Sequence, residues 1–433
     1  MSPELPAPET TQTTEAPQRV GILTPFHYRN FTLLFVGQLV SFLGDQAYGI
    51  ALPWTVLAVT GDARQMSTVL VAGAVPRVLL ILIGGALADR ISPRAIMLFA
   101  DTTRVLVVGA LGVFLLGGLP PLWAVAALAA AEGAASGLFS PCFGSITPAI
   151  LPPNALAGGN GLIMVMNFAT LVIGPLFGGI ATAAQATAAF LADAGSFAVS
   201  ALSLGAMRIP RTPRTAERKH LIREIGDGFG YAVRTPLVRA TMVMTVFGNI
   251  GVSGVFGVAL IVLSRNLSTS PVTLGILLAA VGVGGIVGGL GAGPLSQLRR
   301  RGPIVLIGWA FIAMLLAITP FFAGRAGRLP LTLPIPSTWE LPIIAALLFV
   351  IGVIVALGDT MILTIFQQGI EPSYMSRVIS VQFLMGGIAQ PISLAAAGFL
   401  SAAFGPGVVF LAGGVLALGI VLVGFNAPAI RKL

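Results

Sequence analysis

About a dozen runs of twenty or more largely apolar residues follow one another along this chain, and that recurrence leaves few folds open. The runs are 31–59, 67–89, 95–117, 121–146, 157–182, 186–207, 237–264, 272–297, 303–323, 341–366, 376–402 and 405–427. A helix needs about 20 residues to cross about 30 Å of hydrocarbon, so each run is long enough to span a membrane. The expected fold is an all-α integral membrane protein with twelve transmembrane helices.

Composition agrees. Of 433 residues, 56% are hydrophobic and 9% charged, against about 25% charged in soluble domains. A net charge of +9 would point a soluble chain towards nucleic acid; here it reads as Arg and Lys held at one membrane face, and no nucleic-acid partner is expected. A single cysteine, Cys142, rules out an intrachain disulfide and a Cys-based zinc site. Both histidines, His27 and His220, lie outside the runs, which excludes a buried histidine relay. The Gly282–Gly291 run is not followed by Lys-Ser/Thr, so it reads as helix packing and not as a phosphate loop. No metal, cofactor or nucleotide is expected, and the chain is not read as an enzyme.

Residues 1–24 are rich in Pro, Thr and Glu and are expected to be a disordered tail. Six runs fill 25–207 and six fill 237–433. Between them, 208–236 carries Arg211, Arg214, Arg218, Lys219 and Arg223, then Leu221, Ile222, Ile225, Phe229 and Val233 at helical spacing. This is the pattern of a basic linker with an amphipathic helix on the membrane surface. With the N-terminus inside, only Arg64, Arg265, Arg325 and Arg328 of 24 Lys and Arg fall outside, and Arg77 and Arg104 fall within spans. Both termini are therefore expected in the cytoplasm, at a plasma membrane. A shift of about 207 residues lays the loop at 85–94 over Ser296–Arg301, as a parallel duplication would.

That loop, Gly85-Ala86-Leu87-Ala88-Asp89-Arg90-Ile91-Ser92-Pro93-Arg94, resembles the loop 2–3 motif of the major facilitator superfamily. Ile173-Gly174-Pro175-Leu176-Phe177-Gly178-Gly179 resembles that family's antiporter element, with Thr170 where a Gly usually begins it. Gly37–Asp45, Ala100–Arg104, Phe190–Phe197, Gly228–Tyr231 and Met375–Ser380 are similar to the branch holding the enterobactin exporter and macrolide-efflux proteins. The resemblance covers nearly the whole chain after the tail. It implies two pseudo-symmetric six-helix bundles, a cavity lined by spans one, four, seven and ten, and export by alternating access. It also implies a cytoplasmic gate of Gly85, Asp89, Arg90 and Arg94, to which Asp101 and Arg104 belong as a pair one turn apart, with Glu371 opposite. The arginine that many drug–proton antiporters carry in span four is absent, and Glu132 stands there.

Charges at membrane depth cost about 2.5–3.5 kcal/mol each on insertion scales, which makes them the natural coupling candidates. Asp45, Arg77 and Glu132 lie near mid-span. Glu132 is read as a coupling acid or as a structural one, and Asp45 as a carrier or as the counter-ion of Arg77. The polar cavity candidates are Gln38, Gln46, Asn167, Asn249, Gln367, Gln382 and Gln390. The expected function is proton-coupled efflux of amphipathic small molecules by a monomer in the lipid bilayer. The alternatives are a dedicated siderophore or metabolite exporter on the same fold, and a non-transporting membrane sensor or scaffold.

Overall fold

The computed structural model describes residues 21, 23–208, 229–295, 301–370 and 372–431. Among these there is no strand, and twelve helices are long and apolar enough to cross a membrane. They are α1 (Arg29–Thr60), α2 (Ala63–Arg90), α3 (Pro93–Phe114), α4 (Leu122–Ile150), α5 (Pro153–Ala184) and α6 (Ala186–Ala206). After these come α7 (Pro236–Leu267), α8 (Val272–Leu295), α9 (Arg301–Ile318), α10 (Ser337–Gly369), α11 (Pro372–Phe404) and α12 (Pro406–Phe425). The amphipathic segment expected in 208–236 falls mostly on 209–228, outside the described residues, as do residues 1–20 of the tail and Glu371.

The helix ends follow from local chemistry. Proline opens α3, α5, α7 and α12, where its missing N–H would have no partner in any case. The turn between α1 and α2 takes two residues. Gly61, at φ 66°, lets the chain leave α1 in the left-handed region, and Asp62 then caps α2 by accepting from the Arg64 N–H at 2.8 Å.

Helices α1–α6 pack as α1 on α5 and α6, α3 on α4 and α6, and α2 on α4. Adding six to each number reproduces the pairings of α7–α12. The closest of these contacts depend on glycine. A methyl group on Gly133 would overlap the carbonyl of Gly73, joining α2 to α4. Its counterparts Gly288 and Gly352 lie against the carbonyls of Val353 and Val281, joining α8 to α10. The glycine run at 282–291 is thus a helix-packing surface.

The two sets of helices meet through α2 with α11 and α5 with α8. Those contacts lie at the membrane face opposite the chain termini. Gly398 of α11 abuts Ser67 and Ala63 of α2, and Gly179 of α5 abuts Pro271 and Val272 at the start of α8. The same helix faces part towards the termini. Phe383, one turn from the Gly387 contact with Val78, is 77% exposed, and Met164, two turns from the Leu171 contact with Gly282, is 60% exposed. Among the described residues, the two sets of helices touch on the far face and part towards the face of the termini.

Neighbouring glycines give a sharp test. Gly288→Ala places its methyl into the Val353 carbonyl, whereas a methyl on Gly289 meets nothing within 4 Å. Thermal unfolding in detergent should show Gly288→Ala destabilised by about 1–3 kcal/mol. Gly289→Ala should be neutral or slightly stabilised through better helix propensity.

Candidate functional site

Between the two sets of helices lies a cavity of about 760 Å³. Its walls differ in chemistry. Helices α1–α5 contribute all of its polar side chains but one, Asp45, Gln46, Tyr48, Arg77, Arg104, Glu132, Ser136, Asn167 and Thr170, beside apolar ones such as Phe42, Leu52, Val69 and Phe168. Helices α7, α8 and α11 contribute Phe256, Gly257, Ile261, Leu274, Leu278 and Leu394, with Gln390 as the polar exception. A ligand here would have one polar side and one apolar side to satisfy.

The polar wall is organised around Arg104 of α3, whose side chain is only 4% exposed. Its Nη2 donates to Asp45 of α1 and, at 3.1 Å, to Oε1 of Glu132 on α4. Nε reaches the same Glu132 oxygen at 3.3 Å, and Nη1 lies 3.9 Å from Asp101, one turn back on α3. The guanidinium carbon sits 3.8 Å from the centroid of the Phe197 ring on α6. The planar fork of arginine can serve several acids while its face stacks on an aromatic ring, which a lysine in this position could not do. Asp45 and Glu132 remain open to the cavity, with side chains 32% and 14% exposed.

This geometry corrects the expected pairing. Asp45 meets Arg104 and not Arg77, because depth along a span does not fix the direction in which a side chain points. Arg77 is exposed on the cavity wall and forms no ion pair among the described residues. Arg104 and Asp101, expected at the gate, sit inside the bundle at the acid cluster. Arg94 stays within its own bundle, donating to the carbonyls of Leu204 and Gly205 at 2.7 Å each and so capping the end of α6. Gly85, Asp89 and Arg90 fall in the last turns of α2.

Of the polar candidates, Gln46, Asn167 and Gln390 line the cavity. Gln38 does not, since it donates to Ser200 of α6 at 2.7 Å inside the bundle. Gln382 accepts from Thr245 and donates to Thr241, tying α11 to α7, and Asn249 bonds the Thr245 carbonyl. These three serve helix contacts. The antiporter-type element is an interface. Gly174 and Gly178 seat the Gln46 turn of α1, Gly179 meets α8, and the Pro175 carbonyl abuts Gly275. Tyr48 and Phe197 were missed, although Tyr48 lies three residues beyond Asp45 on the same helix face.

The family model of the transmembrane secretion effectors matches residues 20–339. The chain belongs to that family. It is a transporter of the major facilitator superfamily. The enterobactin exporter of Shigella boydii is 27% identical over 80% of this chain and 79% of its own length. The multidrug efflux pump Tap of Mycolicibacterium fortuitum is 26% identical over 93% and 96%. Among solved structures, a bacterial homologue of the iron transporter ferroportin in an inward-facing state superposes with a TM-score of 0.71 at 16% identity, covering 92% of this chain and 98% of that one. The nucleoside transporter NupG gives 0.70 at 12% identity, covering 92% and 100%. These two share the fold.

Removing the shared cation should cost more than removing Arg77, which forms no ion pair among the described residues. Arg104→Gln strands Asp45, Glu132 and Asp101 together and should destabilise the transporter by about 3–5 kcal/mol. Arg77→Gln should change stability far less, and Asp45→Asn should return part of the Arg104→Gln loss. Melting in detergent measures all three.

Proposed function

We propose that this transporter exports amphipathic small molecules from the cytoplasm in exchange for protons. The observation that carries the reading is the pair Asp45 and Glu132, which share one guanidinium on the cavity wall. Asp45, Glu132 and Asp101 around Arg104, with Arg77 on the same wall, make three acids to two cations and leave one negative charge over, in surroundings where an unbalanced charge is costly. A proton on Asp45 or Glu132 balances it, and so does the positive end of a bound molecule. Occupancy by one therefore opposes occupancy by the other, which is the requirement for exchange.

The relatives supply the direction. One group is named for exporting enterobactin and another for multidrug efflux. The apolar wall of α7, α8 and α11 grips by area and not by directed hydrogen bonds, which favours breadth of selection. The similarity to enterobactin exporters supports a second reading, a dedicated siderophore exporter on the same scaffold. Both readings place the protein as a monomer in the cell membrane with its termini in the cytoplasm. Residues 25–207 and 237–433 then act as two bundles joined by the 208–236 linker.

Proton-gradient-driven uptake into inverted vesicles, against a panel of cationic, neutral and anionic compounds, tests the reading. A broad response separates efflux from dedicated export, and no substrate-linked proton flux would leave a sensor or scaffold. Glu132→Gln should abolish gradient-driven transport while expression and folding stay near normal; unchanged efflux would remove Glu132 from the coupling role.

In the opposite state of the cycle, Asp89, Arg90 and Arg94 would close the termini face against Glu371. Asp89→Asn should then favour the form open on that face and slow turnover more than it weakens binding. Spin labels at positions 92 and 373 report the change, and an unaltered distance distribution with unaltered turnover would reduce the loop to a topological anchor.

A further inference from the structure

Behind the cavity wall, the interior of the α1–α6 bundle holds polar groups that substrate does not reach. On α1, Gln38, Ser41 and Asp45 recur at helical spacing. They face Asp193, Ser196 and Ser200 of α6 and Asp101 of α3. Gln38 donates to Ser200 Oγ at 2.7 Å, and Ser200 donates to Asp101 Oδ2 at 2.6 Å. Asp101 then adjoins Arg104, the hub that holds Asp45 and Glu132. Gly44 makes room for the seam, since a methyl there would overlap Ser196 Oγ.

Gln38, Ser41, Asp101, Asp193 and Ser200 are each at most 1% exposed. Four of their atoms have no hydrogen-bond partner among the described residues: Gln38 Oε1, Ser41 Oγ, Asp101 Oδ1 and Asp193 Oδ2. Buried oxygen atoms of this kind are nearly always bonded, and small internal waters are the usual partners where protein groups do not suffice. Here they belong to side chains that succeed one another along α1 and on the turns of α3 and α6 packed near it. Gln38 stands nine residues into α1, about 14 Å from its end. A 32-residue helix overhangs about 30 Å of hydrocarbon by about 9 Å at each side. The seam therefore ends about 5 Å below the membrane boundary on the termini side, and Ser203 of α6, packed on Gly37, continues it outward.

We infer that this seam is a hydrated proton route joining the Arg104 cluster to the termini face, separate from the substrate cavity. It rests on the exchange mechanism proposed above. Transfer along it changes no covalent framework: the Ser200 hydroxyl, the Asp101 carboxylate and the waters between them each accept a proton from one neighbour and release one to the next, while the Gln38 amide orients Ser200 by donating to it. A separate route matters because a molecule entering the cavity covers Asp45 and Glu132 from the front. The proton it displaces then leaves from behind.

Ser200→Ala and Gln38→Leu interrupt the seam without touching the cavity. Each should lower proton-driven transport in proteoliposomes by about tenfold or more. Substrate counterflow, which needs no net proton movement, should be unchanged, and Ser200→Thr should restore the driven rate. Normal driven transport in both variants defeats the seam alone, whereas no proton-driven transport in the wild type defeats the exchange mechanism itself. Loss of counterflow together with driven transport would make these residues structural. Transport driven by a sodium gradient at clamped pH, and lost in Ser200→Ala, would make the seam a cation site. An independent measurement needs only wild-type protein. Hydroxyl-radical footprinting should label Phe197 several-fold more than Phe410, though both rings are at most 1% exposed. Equal labelling would mean that the seam is dry.

Discussion

One guanidinium binds the N-terminal helices together. Arg104 reaches α1 through Asp45 and α4 through Glu132, and lies against α6 through Phe197. Its position in turn requires α1 and α6 to approach closely, which Gly37 and Gly44 permit. Buried ion pairs add little net stability, but removing one member is costly. Such a hub therefore keeps four helices moving as a unit and leaves its acids poised at the cavity.

The fold repeats itself, but the chemistry does not. In the C-terminal helices the positions facing the cavity are apolar apart from Gln390, and a neutral device takes the place of charge. Ser393 of α11 inserts its hydroxyl into the backbone of α7, accepting from the Gly254 N–H at 2.7 Å and donating to the Ile250 carbonyl at 2.5 Å. Immediately beyond, α7 loosens into a π turn at Val255–Ala259, which sets Phe256 and Gly257 on the cavity wall. A side chain entering the ladder is a recognised cause of such irregularity. Charge is thus concentrated on one wall and apolar contact on the other, within a frame that is otherwise symmetric.

The twelve helices were legible in the sequence because hydropathy over twenty residues is a one-dimensional signal. The repeat was legible for the same reason, and the Pro175 element because its residue types are unusual. Pairing was not: the gate reading of Arg104 overlooked that it lies at the middle of α3, and depth along a span says nothing about azimuth, so that of Arg77 and Arg104 only Arg104 points into the bundle. The information was partly present. Gln38, Ser41, Asp45 and Tyr48 recur on one face of α1, and Asp193, Ser196 and Ser200 on one face of α6. Two polar stripes on neighbouring helices can hardly both face lipid. Reading Gln38 as a cavity residue overlooked that periodicity.

The contacts that must break during a cycle differ in kind from those that must not. Within the N-terminal set, the ties are the Arg104 network and glycine-lined helix seams. Across the closed face, by contrast, Arg265 of α7 stacks on Trp54 of α1 at 5.6 Å, and Arg64 of α2 on Phe399 of α11 at 5.4 Å. Around them lie small-residue contacts such as Gly398 on Ser67. A cation–π contact is worth about 0.5–1 kcal/mol at an exposed site such as Arg64 on Phe399 and about 2 kcal/mol where the ring is buried, as Trp54 is, and water can solvate the freed arginine. Separating α3 from α1 and α4 would instead strand Asp45 and Glu132 at membrane depth. Rocking of two stiff bodies about the cavity is therefore the least costly motion open to this chain, and the charge cluster travels intact with one of them.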